Sequence, residues 1–73
     1  MLNKVITIMK KQLNYDGKMD GDTGLLSDLN INSLDMVELI CVFEEEFDIE
    51  IPEKDLRRFS VINDVVNYLQ ERA

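Results

Sequence analysis

The sequence predicts an all-α fold, a small four-helix bundle with a long first connection and a short third helix. Three observations carry that reading. Apolar residues recur at helical spacing in three separate stretches, a lone proline falls where a further short helix would begin, and all the glycines gather in one connection. The length of 73 residues fits one domain spanning positions 1–73. A chain of that size buries only about 60% of its unfolded surface, enough for one compact core and too little for a large catalytic cavity.

The first helix is read from Leu2, Val5, Ile6, Met9 and Leu13, which share one face, with Lys4, Lys10 and Lys11 on the other sides. A basic amphipathic helix can lie on a membrane surface. In a chain that is negative elsewhere, the stripe is expected to be core. The connection that follows, from Asn14 to Asn32, is long for so small a protein. Gly17, Gly21 and Gly24 mark its turns, and Leu25, Leu26, Leu29 and Ile31 are expected to anchor it against the bundle. The run from Asp16 to Asp22 has the outline of a calcium loop, but Lys18 takes the third ligand position and Ser27 the twelfth, where carboxylates are needed. A polar turn is the expectation there.

The middle helix is placed at about Ser33 to Asp48, with Asn32 or Ser33 as its N-cap and Asp35 in the first turn, where the helix dipole favours a carboxylate. The Ser33 hydroxyl should then face water. At 100° per residue, Met36, Leu39, Ile40, Phe43 and Phe47 cluster on one side. Leu34, Glu38, Cys41 and Glu45 fall opposite, flanked by Asp35, Val37, Val42 and Glu44. A charge run that merely keeps a helix wet would not interleave its acids with Leu34, Val37, Cys41 and Val42. Such a mixed face suits a partner that brings arginines to the acids and a shallow apolar groove to the rest.

Pro52 fits the first position of a short third helix running to about Arg58, with Leu56 and Phe59 turned inward. The last helix is read from Ile62, Val65, Val66 and Leu69, with Ser60 as its N-cap.

Composition narrows the function. The formal charge of −7 argues against nucleic acid, whose binding proteins need basic patches, and points to positively charged partners. No run approaches transmembrane length and the opening residues lack the order of a signal peptide, so no membrane insertion is expected. One cysteine excludes an internal disulfide and points to the reducing cytoplasm, and a monomer is expected. Catalysis by this chain is not expected: it has no histidine, no CxxC or HExxH spacing and no glycine-rich phosphate loop. Cys41 is the one conventional nucleophile, yet Glu38, Glu44 and Glu45 around it are the opposite of what an activated thiolate requires. It is read as a small apolar contact on the docking face.

The run Asn32-Ser33-Leu34-Asp35-Met36-Val37-Glu38-Leu39, followed by Phe43-Glu44-Glu45-Glu46-Phe47-Asp48-Ile49-Glu50-Ile51-Pro52, closely resembles the acyl carrier proteins, and the likeness continues to Asn63-Asp64-Val65-Val66-Asn67-Tyr68-Leu69. The resemblance implies that Ser33 carries 4′-phosphopantetheine, transferred from coenzyme A by a phosphopantetheinyl transferase. It also implies that basic-patched acyl-transfer or synthase enzymes dock on the middle helix at Asp35, Glu38, Glu44 and Glu45, with Leu34, Val37 and Cys41 completing the face. An acyl chain could slip between the helices, helped by a loose third one. Fatty acid biosynthesis is the nearest likeness; carriers for a polyketide, a peptide or D-alanine share the signature, and a scaffold or regulatory bundle that is never modified is the alternative from another class. Two positions depart from the family pattern. Asn32 stands where the family has aspartate, keeping the capping oxygen and losing the charge, and Asn30 stands where glycine is common, a mild change because asparagine tolerates positive φ.

Seven acids, Asp35, Glu38, Glu44, Glu45, Glu46, Asp48 and Glu50, crowd one stretch without a lysine or arginine. Their mutual repulsion should be relieved by screening. The melting temperature is therefore expected to rise with added salt or divalent cations in a thermal titration, and a flat response would contradict the reading.

Overall fold

The computed structural model describes residues 1–72. Its helices are α1 (Leu2–Leu13), α2 (Ser33–Phe47), α3 (Glu53–Leu56) and α4 (Ile62–Arg72), and α1 lies against both α2 and α4. The fold is the expected all-α four-helix arrangement, and each predicted apolar stripe turns inward. Val5 and Met9 of α1, Leu39, Ile40 and Phe43 of α2, and Ile62, Val65 and Leu69 of α4 are all buried. The three longer helices thus supply most of the core, as the 3.6-residue period of their apolar residues requires, and Met19, Leu25, Ile31, Ile51 and Phe59 complete it from the connections.

Helix ends follow local chemistry. α1 stops where Asn14 enters the left-handed region at φ 52°, its last carbonyls taken by the Asn14 N–H and by Tyr15, whose N–H donates to the Lys10 carbonyl at 2.9 Å. Lys10 and Lys11 lie in that last turn, on the side the helix dipole favours. α2 ends in the same manner at Asp48, φ 54°, with the Ile49 N–H donating to the Glu44 carbonyl. The Glu44 carboxylate then accepts the Ile51 N–H at 2.8 Å and fixes the turn into α3.

The long connection is zipped to the head of α4. Gly24 and Val61 form an isolated antiparallel bridge, and the Leu25 N–H donates to the Ser60 carbonyl at 2.9 Å. In return Ile62 and Asn63 donate to the carbonyls of Thr23 and Gly21, at 3.1 and 2.8 Å. A Cβ at Gly24 would fall on the Ser27 hydroxyl, which would have to turn aside to admit a larger residue at the bridge. This pairing overturns Ser60 as the N-cap of α4. The first N–H groups of that helix are satisfied by the connection's carbonyls, and Asp64 reaches back to accept the N–H groups of Ser60 and Val61 at 2.8 and 3.0 Å.

Three further expectations are corrected. α3 is a single turn ending at Leu56, not Arg58, and Pro52 precedes it in an extended conformation instead of opening it. Leu25 and Ile31 anchor the connection, but Leu26 is 68% exposed. Phe47 lies only half-buried at the edge of the core, its ring 6.4 Å from that of Phe43 and overlaid by the Lys4 ammonium at 5.0 Å. Lys4 also pairs with Glu46 at 3.6 Å, a surface pair worth about 0–1 kcal/mol.

Too short to hold itself, α3 is tied to α4 by a polar contact that the apolar pattern does not reveal. The buried Asp55 accepts the Tyr68 hydroxyl at 2.7 Å, the Tyr68 ring meets Phe59 edge-on at 5.4 Å, and the Arg72 guanidinium covers its other side at 3.8 Å. Burial, reinforced by that hydrogen bond to Asp55, raises the Tyr68 pKa above its ordinary value of 10.0, while Arg72 and Arg58 pull the other way. The folded protein therefore holds the phenol proton more tightly than the unfolded chain. The stabilisation is complete below about pH 10 and is lost as pH rises through the folded value. Tyr68→Phe is expected to cost about 1–3 kcal/mol in a urea titration by leaving Asp55 short of a donor. Compared with the parent across pH 9 to 11, the variant should show a flatter loss of stability.

Candidate functional site

The site is built by four consecutive residues at the head of α2. Asn30 adopts φ 53°, the left-handed conformation anticipated for it, and closes a turn in which the Ile31 N–H donates to the Leu25 carbonyl at 3.0 Å. Ile31 then enters the core, 2% exposed. Asn32 is the N-cap: its side-chain oxygen accepts the Asp35 N–H at 2.8 Å and its carbonyl accepts the Met36 N–H at 3.0 Å. Ser33 opens the helix as an exposed residue. With those two bonds made, the N–H groups of Ser33 and Leu34 have no partner among the described residues and point to where an anion is favoured.

Ser33 stands at the rim of a cleft of about 350 Å³ between the head of α2, the connection and α3. Leu26, Ile31, Met36, Val37, Leu56 and Phe59 make it largely apolar, with Asn32, Glu53 and Arg57 at its edges. Two of these residues escape a reading of the sequence. Leu26 reads as one more loop anchor, and nothing in its neighbours marks it as exposed. Arg57 does carry a signal, being among the few cations that follow a long acidic stretch. Among the described residues no carboxylate lies within ion-pair distance of it.

Beside the cleft runs the mixed face. Leu34 is 66% and Val37 51% exposed, and Glu38, Cys41 and Glu45 are exposed with them. Asp35 is half-buried, as is Glu44, whose carboxylate is engaged with Ile51. Among the described residues, Asp35, Glu38 and Glu45 have no ion-pair partner. In the connection, the Asp20 carboxylate accepts the Asp22 N–H at 2.9 Å and the Thr23 hydroxyl accepts the Asp20 N–H, so the run with the outline of a calcium loop closes as a polar turn.

Comparison with known proteins covers nearly the whole chain. The family described as the phosphopantetheine attachment site matches residues 3–69. Acyl carrier proteins of Bdellovibrio bacteriovorus and Clostridium acetobutylicum are 40% and 41% identical over 71 residues, covering 96% of this chain and 91% and 92% of theirs. A structure assigned as an acyl carrier protein from Mycobacterium tuberculosis superposes with a TM-score of 0.88 at 26% identity, over 94% of this chain and 93% of that one. A solution structure with the same assignment from Anaplasma phagocytophilum gives 0.83 at 28% identity, over 96% and 85%.

The capping bond isolates the part played by Asn32. Asn32→Ala is expected to lower stability by about 0.5–2 kcal/mol in chemical denaturation, whereas Asn32→Asp should keep the cap and hold stability near the parent's.

Proposed function

Because the chain belongs to the acyl carrier protein family, whose cofactor is 4′-phosphopantetheine, we propose that it holds acyl groups as thioesters on such an arm attached to Ser33 and delivers them to partner enzymes, in fatty acid biosynthesis. The observation that carries this reading is the exposed Ser33 hydroxyl at the head of α2, on the rim of an apolar cleft.

The residues present fit the cofactor. The free N–H groups of Ser33 and Leu34 and the positive end of the α2 dipole favour a phosphate ester on the serine oxygen, by about 0.3–1 kcal/mol at an exposed site. When bound, the arm supplies a terminal thiol that carries the acyl group. The protein's own residues supply the address and the shelter. Leu26, Met36, Val37, Leu56 and Phe59 offer an alkyl chain an apolar wall, and it is this lining that favours a fatty acyl cargo over a polar aminoacyl one.

Delivery rests on the α2 face. Asp35, Glu38 and Glu45, with no cation within ion-pair distance among the described residues, steer a phosphopantetheinyl transferase and basic-patched acyl-transfer or synthase enzymes into brief, salt-sensitive complexes. Leu34, Val37 and Cys41 give each complex an apolar centre, and Glu44 contributes through the part of its carboxylate not bound to Ile51. Tethering makes each encounter local, at high effective concentration. The chain acts as a carrier without catalysis of its own. Its net charge of −7 favours a monomer, and its single cysteine fits a reducing cytoplasm.

Asn32, in place of the family's aspartate, favours one other reading, a bundle that binds partners and is never modified. Mass spectrometry separates the two. Unmodified protein incubated with coenzyme A and a broad-range transferase is expected to gain one phosphopantetheine mass, and Ser33→Ala to gain none. A serine that stays bare both there and in protein taken from its own cell would sink the carrier reading and leave the scaffold.

A further inference from the structure

Among the described residues, the cleft beside Ser33 has one cation on its lining, Arg57. This residue follows the single turn of α3, is exposed, and has no carboxylate within ion-pair distance among the described residues, although Glu53 lines the same cleft one turn earlier. Its neighbour Arg58 faces elsewhere, toward Asp64, Tyr68 and Glu71. In a chain of charge −7, with acids all along α2, an unpaired guanidinium beside apolar side chains is a site short of an anion.

We propose that Arg57 is a positioning residue for the arm: its guanidinium receives the phosphodiester formed on the Ser33 oxygen and pins the root of the arm along the cleft. This rests on the modification of Ser33 proposed above. The chemistry is specific. A planar guanidinium pairs with two phosphate oxygens at once, and its aliphatic stem can lie along Leu56 and Phe59, which line the same cleft. The arm then rests against the protein between visits. A partner's own arginines, arriving on the acidic face, would compete for the same phosphate and release it.

The test uses full-length protein converted to the modified form and verified by intact mass, comparing the parent with Arg57→Gln, Arg57→Lys and Arg58→Gln. The readout is the ³¹P resonance, with the urea-unfolded modified protein as the reference for a free phosphodiester. The parent and Arg58→Gln are expected to share one position displaced from that reference, Arg57→Gln to move most of the way to it, and Arg57→Lys to fall between. The gain in melting temperature on modification should follow the same order. Because Arg57 is exposed, the unmodified variants are expected to melt with the parent. Modified Arg57→Gln protein with an unchanged resonance and an unchanged melting gain would overturn the assignment of Arg57 alone; a parent serine that stays bare both in the transferase reaction and in protein from its own cell would overturn the carrier reading and this inference with it.

Discussion

Everything at the site depends on Ile31 being buried two residues before Ser33. With Ile31 fixed in the core and Asn30 turning the chain in the left-handed region, Asn32 is placed to cap α2 and Ser33 must emerge on the surface. Ile31 is itself held from a distance. Its N–H bonds to Leu25, and Leu25 bonds to Ser60 at the head of α4. Helix α4 therefore positions the connection, the connection positions the head of α2, and that head presents the hydroxyl. A loop that looks long for so small a protein is a hydrogen-bonded coupling between two helix N-termini.

The parts legible in the sequence are those set by neighbours along the chain. Helical period placed the apolar faces of α1, α2 and α4, and the chemistry of asparagine anticipated both the cap at 32 and the positive φ at 30. What escaped was set by partners remote in sequence. Ser60 looked like a cap because its local context is that of one; the N–H groups it would have served are taken by Gly21 and Thr23. Leu26 looked like an anchor because apolar loop residues usually are, yet the turn from Gly24 to Asn30 points it outward. Asp55 and Tyr68 carry no periodic signal at all. Their pairing across 13 positions is visible only when α3 lies against α4.

The structure also redistributes the charge that composition describes. Of the seven acids between 35 and 50, Glu46 is shared with Lys4, and Glu44 turns its carboxylate to the backbone of Ile51. The face left for a visitor is narrower than the raw count implies, centred on Asp35, Glu38 and Glu45 and interleaved with Leu34 and Val37. Under the proposed function, concentrating both the charge and the exposed apolar area beside Ser33 would let one docking event orient a modified serine as well as attract the partner.

The brevity of α3 has a consequence for how such a protein can change over generations. A single turn owes little to its own backbone ladder and is held by the tie from Asp55 to Tyr68, so Glu53, Lys54, Arg57 and Arg58 are exposed positions whose identity the fold hardly constrains. Of these, Glu53 and Arg57 edge the cleft beside Ser33, so that edge can be rewritten at little cost to the fold. Descendants could vary it by drift while the three longer helices, and the serine they present, stay as they are.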